Sequence, residues 1–386
     1  MLLLIVSVFL AFVYLSLISA YFFAWKKIST MAIPDAWSPC DQITVLIPAR
    51  NEAANIDACL DAIFSGNYPI RLFEVLVIDD FSTDTTELVV SAFAQKYQLP
   101  IERLRVISLH KELGPDFEYL PNKKRGIEIA VHQAQGAIIA TTDADSVPPE
   151  NWLKNIAYKF ESEPSLQIVT GPVRCLSEGN LLSDFQSFDL LGTIGITAGG
   201  IALGWHQMGN GANLAYRKSA FEQVAGYSNN RQVASGDDMF LLSSIARRWP
   251  HGVGYIKTQE VVWTQAQSSW QSLLAQRLRW GGKNAAMPEW KIRLILLVVF
   301  VFCWSIWLNA AAALLLSGHA GLVVFQFLTK AMADFVLIRS VGFYFRQTVP
   351  ISRFLGAFWV HTAYIPLLGL FSLVNLKPAW KGRGIA

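Results

Sequence analysis

Charge is scarce in this chain of 386 residues: charged side chains make up 16%, against about 25% in an average soluble domain. That scarcity excludes an ordinary soluble surface along the whole length, and long uncharged runs account for it. The net charge of +3 comes without any large basic block, which argues against nucleic acid as a partner. Lysine and arginine gather instead at the ends of the apolar runs, as expected beside anionic headgroups. The four cysteines, Cys40, Cys59, Cys175 and Cys303, lie far apart with no zinc or redox spacing. They read as scattered thiols of a reducing compartment. Neither Gly-x-Gly-x-x-Gly nor a Walker motif occurs, which disfavours dinucleotide dehydrogenases and P-loop enzymes.

Residues 1–24 carry no charge and suffice to cross a bilayer core of about 30 Å. The start is not basic, Ile18 spoils a small-x-small site before Ala20, and the run continues through Tyr21, Phe22 and Phe23. A retained anchor is therefore expected, not a cleaved signal peptide. Trp25, Lys26 and Lys27 follow it, and Lys291 and Arg293 precede a second uncharged run at 294–317. Both flanks put the intervening domain in the cytosol, at the inner membrane if the chain is bacterial. Gly318-His319-Ala320-Gly321 reads as a hairpin bend. A third run, 322–338, is interrupted by Lys330 and Asp334, four apart on one helix face, where they can neutralise each other. That segment either faces a bundle interior or lies at the interface. A fourth run, 354–376, is long enough to span. Arg346 and Arg353 precede it and Lys377, Lys381 and Arg383 follow it, so both its flanks look cytosolic. The membrane helices of 292–376 thus amount to two or three spans, with one of the last two segments re-entrant or interfacial. A short basic tail, 377–386, follows.

Between about 41 and 282 the pattern changes. β-rich runs at 43–47, 73–78, 105–109 and 137–141 alternate with helical spacing at 53–64, 85–97 and 123–134. This alternation implies an α/β domain with a doubly wound, Rossmann-like, mostly parallel sheet. Ligands of such sheets bind beyond the C-terminal strand ends. Asp79-Asp80 and Asp143-Ala144-Asp145 both fall at strand ends and can share one crevice. The second pair offers two hard oxygen donors suited to Mg²⁺ or Mn²⁺, with diphosphate oxygens and water completing the shell. The plainer alternative is that these aspartates cap turns.

Six motifs then occur in order: Ile47-Pro48-Ala49-Arg50-Asn51-Glu52, Val77-Ile78-Asp79-Asp80-Phe81-Ser82-Thr83-Asp84, Asn122-Lys123, Thr142-Asp143-Ala144-Asp145, Gly236-Asp237-Asp238 and Gln276-Arg277-Leu278-Arg279-Trp280. Their order resembles the family 2 glycosyltransferases of GT-A fold. Within them it is similar to the membrane-bound branch that includes ceramide glucosyltransferases and hyaluronan and cellulose synthases. The resemblance runs from about 41 to 280. It implies a GT-A domain at 41–282, an N-terminal anchor and C-terminal membrane helices. It further implies inverting sugar transfer from a nucleotide-sugar donor, most often a UDP-sugar, with Mg²⁺ or Mn²⁺ as cofactor. By the same resemblance, Glu52, Asp79, Asp80, Lys123 and Asp143 hold the donor. Asp80 reads the nucleobase edge with Asp79 as its partner, Lys123 sits near the phosphates or nucleoside, and Asp143 faces ribose or metal. Asp145 is the metal ligand and Asp238 the catalytic base. Many members carry Glu where Asp237 stands, a departure from the family pattern. Asp237, Gln276, Arg279 and Trp280 belong to the acceptor and diphosphate side.

The chemistry needs these residue types. In-line displacement at an anomeric carbon requires one base opposite the leaving group. Gln276, Arg279 and Trp280, at i, i+3 and i+4, share a helix face. There Arg279 offers a fork of donors to diphosphate and Trp280 can stack on a sugar. Gly281-Gly282 closes that helix near the bilayer surface. Leu182, Phe185 and Phe188 are spaced along either an interfacial or a core helix, and Gly209 to Asn213 resembles the family strand beside the acceptor site. The expected acceptor is a membrane lipid. A processive polysaccharide synthase and an inactive nucleotide-binding scaffold are the alternatives, and the presence of both Asp145 and Asp238 argues against the scaffold. No feature of the sequence sets the oligomeric state.

Overall fold

A computed structural model describes residues 2–373 except 119, 121, 229–230, 232–235, 283–288 and 316–318, together with 379–380 and 383–384. The chain starts on α1 (Leu2–Lys27) and continues through β1 (Ile43–Ala49), α2 (Ile56–Phe64), β2 (Phe73–Asp79), α3 (Thr86–Lys96) and β3 (Leu104–Ser108). Next come α4 (Leu109–Leu113), α5 (Lys123–Gln133), β4 (Ile138–Thr141), β5 (Ser146–Val147), α6 (Trp152–Ser162), β6 (Ile168–Thr170) and β7 (Val173–Arg174). Then follow α7 (Leu181–Ala202), β8 (Leu214–Arg217), α8 (Lys218–Gln223), α9 (Asp237–Arg248), β9 (Val253–Tyr255), β10 (Val262–Thr264) and α10 (Trp270–Gly282). Three long helices come last, α11 (Trp290–Leu315), α12 (Ala320–Tyr344) and α13 (Ile351–Leu373). These elements divide into two compact units, one formed by 1–29, 175–206 and 266–376, the other by 30–174, 207–265 and 377–386. The stretch 41–282 therefore contributes to both.

The second unit is built on a seven-stranded sheet in the order β3-β2-β1-β4-β8-β6-β9. Strands β1 to β4 run parallel, and β8 is antiparallel to both β4 and β6. This is the mostly parallel sheet that the alternating pattern implied. Every residue of β2 is buried, because helices cover both faces, and such strands read as continuous apolar runs. On one face Val45, Val75 and Val77 meet Leu60 of α2, Phe93 of α3 and Phe160 of α6. On the other, Leu46, Leu76 and Ile78 meet Ile127 and Val131 of α5 and Leu242 and Ile245 of α9. The β1–β2 register runs from Ile43 opposite Phe73 to Ala49 opposite Asp79. Pairing thus carries β1 past Pro48, and both strands end at one level.

The other unit packs α1, α7, α11, α12 and α13 against one another. Four of its helices are long and apolar enough to cross a membrane by length and composition: Leu3–Lys27, Trp290–Leu314, Ala320–Tyr344 and Ile351–Phe371. Neither of the last two is a half-length segment. Of the alternatives for Lys330 and Asp334, the structure adopts the bundle interior. Lys330 is 0% exposed, and its Nζ lies 2.6 Å from Asp334 Oδ2 and 3.1 Å from His361 Nδ1. Tyr14 donates its hydroxyl to Asp334 Oδ1 at 2.6 Å. The helix spanning Leu182, Phe185 and Phe188 is a core helix of this unit: Phe185, Phe188 and Leu191 are buried, and Arg353 Nε donates to Asp184 Oδ2 at 2.7 Å. Of the expected bend at 318–321, Gly318 lies outside the described residues, as does most of the tail 377–386.

Candidate active site

The turns after β1 and β2 are built as a pair. Asn51 and Phe81 adopt positive φ, 53° and 55°, where the chain must leave the sheet abruptly. Asp80 N donates to Ala49 O at 2.8 Å, and Arg50 Nη1 donates to the carbonyls of Asp80 and Phe81 at 2.8 and 3.2 Å. Asn51 N donates to Ser82 Oγ, and Thr83 N donates back to Asn51 Oδ1. Glu52 N donates to Thr86 Oγ1 at 2.9 Å. Asp79 and Asp80 are therefore held at the sheet edge, 5% and 4% exposed. Asp79 Oδ2 accepts from Ser82 N at 3.3 Å. Its Oδ1 is buried with no hydrogen-bond partner among the described residues. Burial raises the Asp79 carboxyl above its ordinary value, and the Ser82 bonds offset part of that.

Lys123 stands on the first turn of α5 with its Nζ 3.4 Å from Asp143 Oδ1 and 3.3 Å from Asp237 Oδ2. Asp143 follows β4, and Asp237 opens α9. Burial by itself would lower the Lys123 ammonium. Asp237, then Asp143 and Asp238, outweigh it, so the group is held above its ordinary value and stays charged. Gly236 enters α9 with φ of 83°, a left-handed conformation natural to glycine. Met239 N donates to Asp238 Oδ1 at 2.7 Å, and both carboxylates occupy the positive end of the helix. The short turn Gly211–Asn213 borders the ion pairs. A Cβ at Gly211 would lie 3.7 Å from Asp237 Oδ2 and 3.8 Å from Lys123 Nζ, and Thr141 Oγ1 donates to Gly211 O at 2.7 Å.

Negative potential gathers beside these groups. Cys59 Sγ lies 3.7 Å from Asp143 O. Burial pushes its thiol well up, and Asp145, Asp143 and Glu52 push it further. The three carboxylates thus act on one spot, beside a thiol that remains neutral. Among the described residues no group of three or more His, Cys, Asp or Glu side chains is arranged to hold a metal ion. Two aspartates with hard oxygens leave most of a six-fold shell to diphosphate and water, which fits Mg²⁺ or Mn²⁺.

Glu52, Asp79, Asp80, Lys123, Asp143, Asp145, Asp237 and Asp238 all lie in the sheet-bearing unit, in or just beyond strand ends and helix starts. Gln276, Arg279 and Trp280 lie on α10 in the helical unit. Arg277, between them in the sequence, also makes strong contacts there. Its Nη2 is 2.6 Å from Asp189 Oδ2, and its guanidinium sits 4.4 Å over the Trp280 ring. The i, i+3 spacing of Arg277 and Trp280 was the available signal.

Residues 44–225 match the profile of glycosyl transferase family 2, and 138–373 match that of glycosyl transferase family group 2. The chain is a family 2 glycosyltransferase. The transferase is 24% identical over 249 residues to probable glycosyltransferase YdaM of Bacillus subtilis, covering 63% of this chain and 55% of that protein. It is 30% identical over 131 residues to human dolichyl-phosphate beta-glucosyltransferase, covering 32% of this chain and 37% of that one. It is also 22% identical over 295 residues to poly-beta-1,6-N-acetyl-D-glucosamine synthase of Staphylococcus epidermidis, covering 73% and 66% respectively. In each case it spans less than two thirds of the relative's length. The structure of mannosyltransferase PcManGT from Pyrobaculum calidifontis, in complex with GDP-Man and Mn²⁺, is similar over 95% of this chain and 99% of that one. With a TM-score of 0.58 and 22% identity, that likeness establishes the shared fold.

Proposed function

We propose that this glycosyltransferase moves a sugar, with inversion, from a UDP-sugar to a hydroxyl of a membrane lipid, using a divalent metal, with its sheet-bearing unit in the cytosol. The observation that carries this reading is Lys123 paired to both Asp143 and Asp237. One cation joins the motif of the donor side to the motif that bears the base. Asp238 takes the acceptor proton as the acceptor oxygen bonds to the anomeric carbon. The bond from that carbon to the diphosphate breaks, and the diphosphate leaves with the electron pair. The ammonium of Lys123 would offset that charge as it develops. Asp145, with Asp143, would hold Mg²⁺ or Mn²⁺, which when bound offsets diphosphate charge as a Lewis acid. The unpartnered oxygen of Asp79 and the Asp80 carboxylate suit donors on a nucleobase edge, and Glu52 closes the donor side. Gln276, Arg279 and Trp280 serve the acceptor and diphosphate.

A lipid acceptor is favoured over a polymer because buried polar bonds tie the membrane helices directly to one another. Asn309 Nδ2 donates to Ser7 Oγ and Gln326 Oε1 at 2.9 and 2.8 Å, and helices so packed leave little room for a sugar chain. The test is purified protein in lipid vesicles with labelled UDP-sugars. Label is expected in the organic phase as a lipid one or two sugars heavier. A water-soluble polymer of high mass would instead make the protein a processive synthase. Asp238→Asn is expected to keep nucleotide binding and slow transfer roughly 10²–10⁴-fold. Asp145→Asn or chelator should abolish metal-dependent donor binding, and full activity in chelator would remove the metal from the mechanism.

A further inference from the structure

Four polar side chains in the first three turns of α7 each hold another segment of the helical unit. Arg353 Nε of α13 donates to Asp184 Oδ2 at 2.7 Å, and Gln347 Nε2, just ahead of α13, donates to Ser187 Oγ at 2.9 Å. The other two hold α10. The Gln186 amide bonds the backbone of Gln267 twice: its Nε2 donates to the Gln267 carbonyl at 3.0 Å, and its Oε1 accepts from the Gln267 N–H at 2.7 Å. Asp189 Oδ2 accepts from Arg277 Nη2 at 2.6 Å. α10 is thus fixed ahead of its first turn and again near its end. Two such points set its rotation about its own axis as well as its place.

The Asp189–Arg277 pair does more than join two helices. Arg277 is buried, and the Asp189 side chain is 16% exposed. Taking two charges out of water costs about what their attraction returns, so well-packed apolar residues would hold the helices together as well. What an apolar contact lacks is direction. A carboxylate bonded to one edge of a planar guanidinium fixes that plane, and the guanidinium of Arg277 lies 4.4 Å over the Trp280 ring. Arg277 and Trp280, one turn apart, share a side of α10. Trp280 remains partly exposed, so the ring is backed by Arg277 and still open to a ligand. Asp184 supplies the contrast, since its ion pair leads to α13 and not to α10.

We propose that Asp189 is a positioning residue for sugar transfer: through Arg277 it sets the plane of the Trp280 ring that serves the acceptor. The setting of the ring stands by itself, whereas its effect on transfer rests on the acceptor-side role given to Trp280 above.

The full chain is made with fluorotryptophan and held in dodecyl maltoside micelles. The fluorine resonance of Trp280 is the one lost in Trp280→Phe. Asp189→Asn should shift that resonance, and Asp184→Asn should leave it in place. Transfer is read with labelled UDP-glucose and UDP-N-acetylglucosamine in vesicles of lipid extracted from the expressing cells. Asp189→Asn is expected to slow it roughly 10²-fold, as a misplacement of about 1 Å can, with nucleotide affinity unchanged. In a Trp280→Ala background the same change should add nothing, because residues that act through one another are non-additive. An unmoved resonance in Asp189→Asn, or a loss of transfer that multiplies in full with that of Trp280→Ala, would overturn the positioning role. If Trp280→Ala alone leaves transfer unchanged, the acceptor-side reading of Trp280 fails, and a shifted resonance would still place the ring under the control of Asp189. Should neither sugar be transferred, the resonance decides alone. Should Asp189→Asn not fold, Asp189→Glu, which keeps the charge on a longer stem, takes its place in the same comparisons.

Discussion

Asp79 is buried at the end of β2, with one carboxylate oxygen on Ser82 N and the other unpartnered among the described residues. Its folded-state pKa is raised, burial being the largest cause. A carboxyl raised in this way favours the fold while protonated. That contribution is complete below the unfolded value and is lost as pH rises through the folded value. Once ionised, the group therefore costs stability in the ligand-free protein. Asp79→Asn is expected to raise the melting temperature at pH 8 and to flatten its dependence on pH between 4 and 8. The same change should weaken nucleotide binding roughly tenfold, the worth of a hydrogen bond to a charged group. Melting curves at several pH values and a nucleotide titration check both. A fall in stability with unchanged nucleotide affinity would leave Asp79 a turn cap. Part of this was legible in the residues: an aspartate pair after an apolar strand marks a crevice edge. Which oxygen caps the turn was not, because Ser82 reaches it only after Phe81 takes a positive φ. The Lys123–Asp237 pair was likewise hidden, since 114 positions separate the two residues, and only the sheet brings α5 and α9 together.

Among elements, the strands and helices of the first 141 residues, apart from the one-turn α4, were readable because their apolar runs are long and punctuated. Their ends moved by one to three residues for local reasons. Residues 53–55 form a turn, not the start of α2, because Glu52 N and Ala53 N donate to Thr86 and Asp84 across the neighbouring loop. Strands β6, β8 and β9 were not read at all. They are three or four residues long, and their pairing partners are distant in sequence, so no local period announces them. The fit of α5 on the sheet depends on Gly126. A Cβ there would approach Ile78 Cγ2 to 2.6 Å and Leu109 Cδ1 to 3.0 Å. Gly126→Leu should lift α5 from β2, costing about 1–3 kcal/mol as overpacking does. Because Lys123 stands on the first turn of the same helix, donor affinity should fall as well. Denaturant unfolding and nucleotide binding, measured on the same preparation, check the linkage. Full nucleotide affinity in a destabilised Gly126→Leu protein would show that Lys123 does not depend on this contact.

At the scale of the whole molecule, the sequence separates apolar spans from an α/β region, but packing divides the chain elsewhere. Residues 175–206 and 266–282 join the helical unit, since α7 buries an apolar core face there and Asp189 pairs with Arg277. Charge beside the spans argues for one orientation. Lys26 and Lys27 end α1, and Lys291 and Arg293 lie in the first turn of α11, so basic residues flank the sheet-bearing unit from both directions. If α11 and α12 each cross the bilayer, the chain returns to the same side at 345–350, where Arg346 and Arg353 add to the bias. The native cysteines supply the probe for this arrangement. Cys40 is exposed, whereas Cys59, Cys175 and Cys303 are buried. A membrane-impermeant maleimide should therefore report on one thiol, thirteen residues beyond Lys27 in the sheet-bearing unit. Intact cells expressing the protein are expected to leave Cys40 unlabelled, and permeabilised cells to label it. Cys40→Ser should abolish the signal, because the three remaining thiols are shielded by packing. Labelling of Cys40 in intact cells would place this unit outside and reverse the orientation of every span. A nucleotide-sugar made in the cytosol would then not reach Lys123, so the same measurement bears on the proposed donor.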